Sequence, residues 1–189
     1  MPSITDPVPH VCWVPMAAAV PMMLGMSCAM ATEYLTAEQA QHLMFAEATT
    51  FTPQAVAASA PLMQQIAARL GAPIHPARWA IVAAMAGDRL LGYVVTDGVV
   101  GKFELIQYAV ALTPHGEILD VEILSYREAH GGEVRTRAWR QQFVGKTADA
   151  ALSVGNDIAN ISGATLSCTH LTDGVRRIAT YVQLALARP

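Results

Sequence analysis

The chain is short of basic charge, of cysteine and of aromatic residues, and each shortage excludes something. It has 12 Lys/Arg against 15 Asp/Glu and a formal net charge of -3, which excludes a nucleic-acid binder that works through a cationic surface. The short basic stretches, Arg135 to Arg140 and Arg176-Arg177, are interleaved with helical patterns and read as solvated helix faces or local ion pairs. Of 3 cysteines, Cys12 and Cys28 fall in the leader, so the remainder keeps only Cys168 and has no intramolecular disulfide. Aromatics make up 6% of a chain that is 53% hydrophobic. Ala and Met supply much of that total, partly from the first thirty positions, and a length of 189 residues leaves room for one sizeable core.

Val11 to Ala31 is uncharged and ends on Ala29-Met30-Ala31, an A-x-A cleavage pattern. The segment reads as a secretory signal peptide, or failing cleavage as an N-terminal anchor, and either exports the domain beyond it. Pro15 and Pro21 argue against a long spanning helix. The division expected is 1–31 leader, 32–78 helical N-terminal segment and 79–189 a sheet-based domain.

Thr36-Ala37-Glu38-Gln39 has capping-box spacing and predicts a helix over Thr36 to Phe45. Thr52-Pro53 predicts the start of a second helix, kinked or divided at Pro61, carrying Val56, Met63, Ile66 and Leu70, and closed by Gly71. From Trp79 the period changes from helical to alternating. Four strands are expected at Trp79–Ala86, Leu90–Thr96, Phe103–Leu112 and Ile118–Tyr126, with Gly87-Asp88, Asp97-Gly98 and Pro114-His115-Gly116 as turns. A last helix carries Leu171, Val175, Ile178, Val182 and Leu186 as one apolar stripe, with Asp173 near its start and Arg188 near its end. The fold class predicted is α+β, an antiparallel sheet packed with helices.

Immediately before that helix stands Ser162-Gly163-Ala164-Thr165-Leu166-Ser167. Small residues and hydroxyls at a helix N-terminus favour a phosphate, because free N–H groups and the helix dipole converge there. Gly163 allows close backbone approach and Ala164 leaves room beside the Thr165 hydroxyl. The bland alternative is that Thr165 and Ser167 merely cap the helix. Cys168-Thr169-His170 offers two possible metal ligands without a partner pair, so no metal site is expected.

The segment resembles the flavinylation motif of the FMN-binding domain found in small subunits of sodium-pumping NADH:quinone reductases and Rnf complexes. The likeness runs from about Trp79 to Val182 and includes Gly116 to Leu124, Tyr126 to Glu133, Trp139 and Gln142 to Lys146. The resemblance implies that Thr165 carries FMN through a phosphoester, with noncovalent FMN the lesser form. It implies a cofactor site of Thr165, Ser162, Gly163, Ala164, Leu166, Ser167, Glu128, His130 and Gly131, with no catalytic acid, base or nucleophile of the chain's own. Glu128 with Arg127 orients the ring or forms an ion pair, and His130 borders the flavin or caps a turn.

The family's Asp three residues before the motif Ser is read by a flavin transferase that attaches FMN from FAD; Ala159 stands here, with Asp157 two residues earlier. Glu128-Ala129-His130-Gly131-Gly132 is similar to stand-alone exported members. The function implied is a periplasmic electron carrier with a membrane electron-transfer partner and a flavin transferase for maturation. The rivals are a flavin-dependent reductase with its own small substrate and a flavin-free binding module of the same fold.

Overall fold

The structure is a computed structural model, described over residues 34–187, so the leader and Arg188 lie outside the described residues. A five-stranded antiparallel sheet runs in the sequential order β1 (Thr50–Pro53), β2 (Ala80–Ala86), β3 (Arg89–Val100), β4 (Leu105–Leu112) and β5 (Ile118–Ser125). Helices α1 (Ala37–Met44), α2 (Ala60–Leu70), α3 (Arg137–Arg140) and α4 (Thr165–Tyr181) complete the α+β fold that the sequence predicts.

Strand alternation sorts the core into two layers. Tyr93, Val95, Tyr108, Val110, Leu112, Val121 and Ile123 face the main core, shared with Ile66 of α2 and with Leu171, Val175 and Ile178 of α4. Their neighbours Val94, Ala109, Ala111 and Leu124 face a smaller cluster with Ala40 and Phe45. The capping box on α1 is present in both directions: the Gln39 N–H donates to the Thr36 hydroxyl at 3.1 Å, and the Thr36 N–H to Gln39 Oε1 at 2.9 Å. Among the described residues no helix is long and apolar enough to cross a membrane.

Three local expectations are corrected. Thr52-Pro53 ends a strand rather than opening a helix, because residues 50–53 pair with residues 82–85 of β2. Pro53 lacks an N–H, which an edge strand tolerates, and α2 begins only at Ala60. Asp97-Gly98 is no turn: β3 continues to Val100, Asp97 accepting the Tyr108 hydroxyl at 2.9 Å and Gly98 lying under the Leu105 side chain. The reversal falls instead at Gly101–Glu104, closed by the Gly101 N–H on the Glu104 carbonyl at 2.8 Å. Asp173 stands more than two turns inside α4, away from the dipole's positive end.

Helix α4 crosses the sheet closely at one point. The Tyr108 hydroxyl occupies the place where a Cβ at Gly174 would stand, so any side chain there would collide with it. Burial drives the Tyr108 hydroxyl pKa well up, and Asp97 adds to the rise while Arg177 opposes it. The phenol stays protonated and donating.

Candidate functional site

The N-terminus of α4 is built by a clamp on the preceding loop. Trp139 is buried, its ring edge-on to Phe143 at 5.2 Å, and its indole N–H donates to the Ala159 carbonyl at 2.8 Å. Gln142 accepts the Ala159 N–H at 2.7 Å. Both backbone groups of Ala159 are therefore held by side chains from one short helical stretch. The chain then turns, with the Ala164 N–H on the Ile161 carbonyl at 3.0 Å and Gly163 at φ 80, a left-handed conformation natural to glycine. Behind it Gly131, at φ 84, touches Ala164 so closely that a Cβ would overlap the Ala164 Cβ.

Thr165 is the first helical residue and the N-cap is Ala164, which offers no side-chain oxygen. The capping alternative for Thr165 and Ser167 thus has no hydrogen bond behind it, and the first-turn N–H groups keep their capacity for an anion. The Thr165 hydroxyl oxygen accepts instead from the Asn160 carboxamide at 3.1 Å.

The opposite wall is the Gly101–Glu104 turn. Glu128 Oε1 accepts the N–H of Phe103 at 2.7 Å and of Glu104 at 3.0 Å. Partial burial pushes the Glu128 carboxyl up, but the N–H donors of Glu104, Phe103 and Lys102 and the Lys102 charge outweigh it, leaving the pKa below the usual glutamate value. His170 on α4 reaches the same turn, its Nδ1 2.6 Å from the Val100 carbonyl and 3.2 Å from that of Gly101. Carbonyls only accept, so Nδ1 carries the proton.

Between these walls lies a cavity of about 320 Å³ lined by Lys102, Phe103, Glu128, Ala129, His130 and residues 163–167. Of the residues singled out in the sequence, Glu128, His130, Gly163, Ala164, Thr165, Leu166 and Ser167 line it. Ser162 and Gly131 do not; Gly131 backs Ala164. Glu128 is committed to the 102–104 backbone rather than to Arg127. The His130 carbonyl accepts the Tyr126 hydroxyl at 2.5 Å. Asp157 is equally engaged, accepting the N–H of Leu152 at 3.1 Å and of Ser153 at 2.8 Å and pairing with Lys146 at 3.1 Å. It is not free to stand in for an acid at position 159. Cys168 is buried in the core, and among the described residues no three His, Cys, Asp or Glu groups gather as a metal would need.

Sequence reasoning misses Lys102, Phe103 and Asn160. The alternating pattern puts Phe103 inside a strand, yet it is 76% exposed on the turn with the Lys102 ammonium 4.9 Å from its ring centre. The available signal is Gly101, the glycine at which the chain reverses. A larger hollow of about 550 Å³ lies beneath Leu43, Leu119 and Val144, but Arg140 there is already bound by Glu122, by Asp120 at 3.6 Å and by the Val121 carbonyl.

The smaller cavity fits a flat aromatic group carrying a phosphate. It falls within the usual range of about 300–1,000 Å³ for ligand sites. Phe103 and the half-exposed Leu166 supply apolar wall, and the α4 N-terminus with Lys102 supplies positive potential. Comparison with known proteins agrees. Residues 101–180 match the FMN-binding domain. A subunit of the proton-translocating ferredoxin:NAD(+) oxidoreductase complex of Clostridium ljungdahlii is 33% identical over 108 residues, covering 53% of this chain and 58% of that protein. The chain thus spans little more than half the length of that relative. Residues 101–180 of this chain are thus similar to the FMN-binding domain family.

Proposed function

We propose that the protein is an exported electron carrier that holds FMN through a phosphoester to Thr165 and passes electrons between a membrane redox partner and an acceptor. The observation that carries the reading is the placement of Thr165: an exposed hydroxyl on the first residue of α4, at an uncapped N-terminus, lining the cavity between the two clamped walls. The relative's role in an oxidoreductase complex supports electron transfer, and the leader pattern supports export to the periplasm.

In this reading residues 79–189 form the FMN-binding domain and residues 32–78 an appendage packed on it. Bound FMN supplies one- and two-electron chemistry. The chain's residues fix it: the first-turn N–H groups of α4 meet the phosphate, Gly163 keeps the backbone clear, and Phe103 and Leu166 shelter the ring system from water. No proton-transfer group is needed at the site, and Glu128 is spent on holding the wall.

The test is intact mass after coexpression of the full chain with a flavin transferase. Wild type should gain one FMN, Thr165→Ala none, and Thr165→Ser a partial amount, since the hydroxyl survives. Wild type without added mass overturns the phosphoester; flavin released on denaturation would then leave the noncovalent form. Turnover of a small substrate by the purified protein alone would favour the reductase.

A further inference from the structure

Nothing in the proposed function explains why the Thr165 hydroxyl should be held before any flavin arrives. The Asn160 carboxamide nitrogen lies 3.1 Å from Thr165 Oγ1, and both residues are exposed, so the contact adds little to the core. Its neighbour Ala159 is held at both backbone polar groups, through its N–H by Gln142 and through its carbonyl by Trp139. On the other side the turn from Ile161 to Ala164 fixes the start of α4. Asn160 therefore projects from a clamped stem onto a residue whose backbone is also set.

We infer that Asn160 is a positioning residue, which presents the Thr165 hydroxyl oxygen for esterification; the inference rests on the phosphoester reading above. Threonine in a helix divides between two side-chain rotamers, and a donor aimed at Oγ1 selects one. Because the carboxamide donates, the hydroxyl keeps its hydrogen and a second lone pair. In the step served, Thr165 Oγ1 forms a bond to the riboflavin-side phosphorus of FAD and the P–O–P bridge breaks. AMP leaves with the bridging oxygen, and the hydroxyl proton passes to the transferase or to water. No electrons change hands. An aspartate at 160 could only accept from the hydroxyl, reversing the bond, and would set a negative charge against the incoming phosphate.

The experiment follows FMN incorporation by intact mass, using purified full chain, a flavin transferase and FAD, for wild type, Asn160→Ala, Asn160→Asp and Thr165→Ala. Asn160→Ala should slow the maximal rate roughly fivefold, the size one ordinary hydrogen bond carries. Asn160→Asp should be slower still despite its matching shape. The transferase concentration giving half the maximal rate should stay unchanged for both, as should the melting temperature. An Asn160→Ala rate equal to wild type overturns the inference and leaves the phosphoester standing. So does a loss confined to the half-saturating concentration, which would make Asn160 a contact for the transferase. If Asn160→Ala lowers the melting temperature, the isosteric Asn160→Asp decides: a stable, slower variant upholds positioning, and a wild-type rate overturns it. Failure of wild type itself to gain FMN brings down the phosphoester and this inference together.

Discussion

The two walls of the cavity are fixed by opposite means. The Gly101–Glu104 turn is held by an ionised group reaching in from elsewhere, the Glu128 carboxylate, with the His170 ring N–H beside it. The loop carrying Ala159 to Thr165 is held by neutral groups: an indole, a carboxamide and the contact of Gly131 with Ala164. The wall bearing the proposed attachment point is thus indifferent to pH at its own contacts, while the wall facing it is not. In the proposed reading, rigidity is placed where the covalent bond would form, and adjustable polarity where the ring system would rest.

Four predictions sharpen or break this contrast. The largest effect should come from Gly131→Ala, which sets a Cβ against Ala164 at φ 84. Left-handed strain and overpacking together should cost about 2–4 kcal/mol in denaturant unfolding; a loss below about 1 kcal/mol would show that the loop yields. Glu128→Ala removes an ionised acceptor from the backbone N–H groups of the opposite turn and should cost about 1–2 kcal/mol, with raised amide exchange at Phe103 and Glu104 and none at Ala159.

Gln142→Ala should do the reverse, for about 0.5–1.5 kcal/mol, because it frees the Ala159 N–H and leaves the turn untouched. The smallest effect is one of pH. The Glu128 pKa lies below its unfolded value, so its contribution is present above the unfolded pKa and is lost as pH falls through the lower folded one. An NMR titration of the Phe103 and Glu104 amides should therefore move at a pH below the usual glutamate value, while Trp139 Nε1 stays still. A coincident shift at Trp139 would mean that the walls are coupled.

Much of the molecule is legible in the sequence because its signals are local. The capping box at Thr36, the turn glycine Gly87 and the apolar stripe of α4 each fix structure within a few residues. Strand β1 is not, because residues 50–53 gain their conformation only by pairing with β2 some thirty positions later. The run through Asp97-Gly98 misleads for the same reason: its usual turn meaning is overruled by Tyr108 on the next strand. For the site, the motif glycines and Thr165 are visible. The part played by Glu128 is not, since its partners are main-chain groups of a turn 24 and 25 residues earlier.

Gly174 gives the site a kind of calibration. With the Tyr108 hydroxyl seated against its bare Cα, α4 has one position along its axis, and sliding either way would drive a side chain into the phenol. A helix advances about 1.5 Å per residue and scarcely stretches, so the setting made at Gly174 is transmitted nine residues upstream to Thr165. A methyl group added in the middle of the core would be felt as a displaced hydroxyl at the surface, with no residue of the cavity itself substituted.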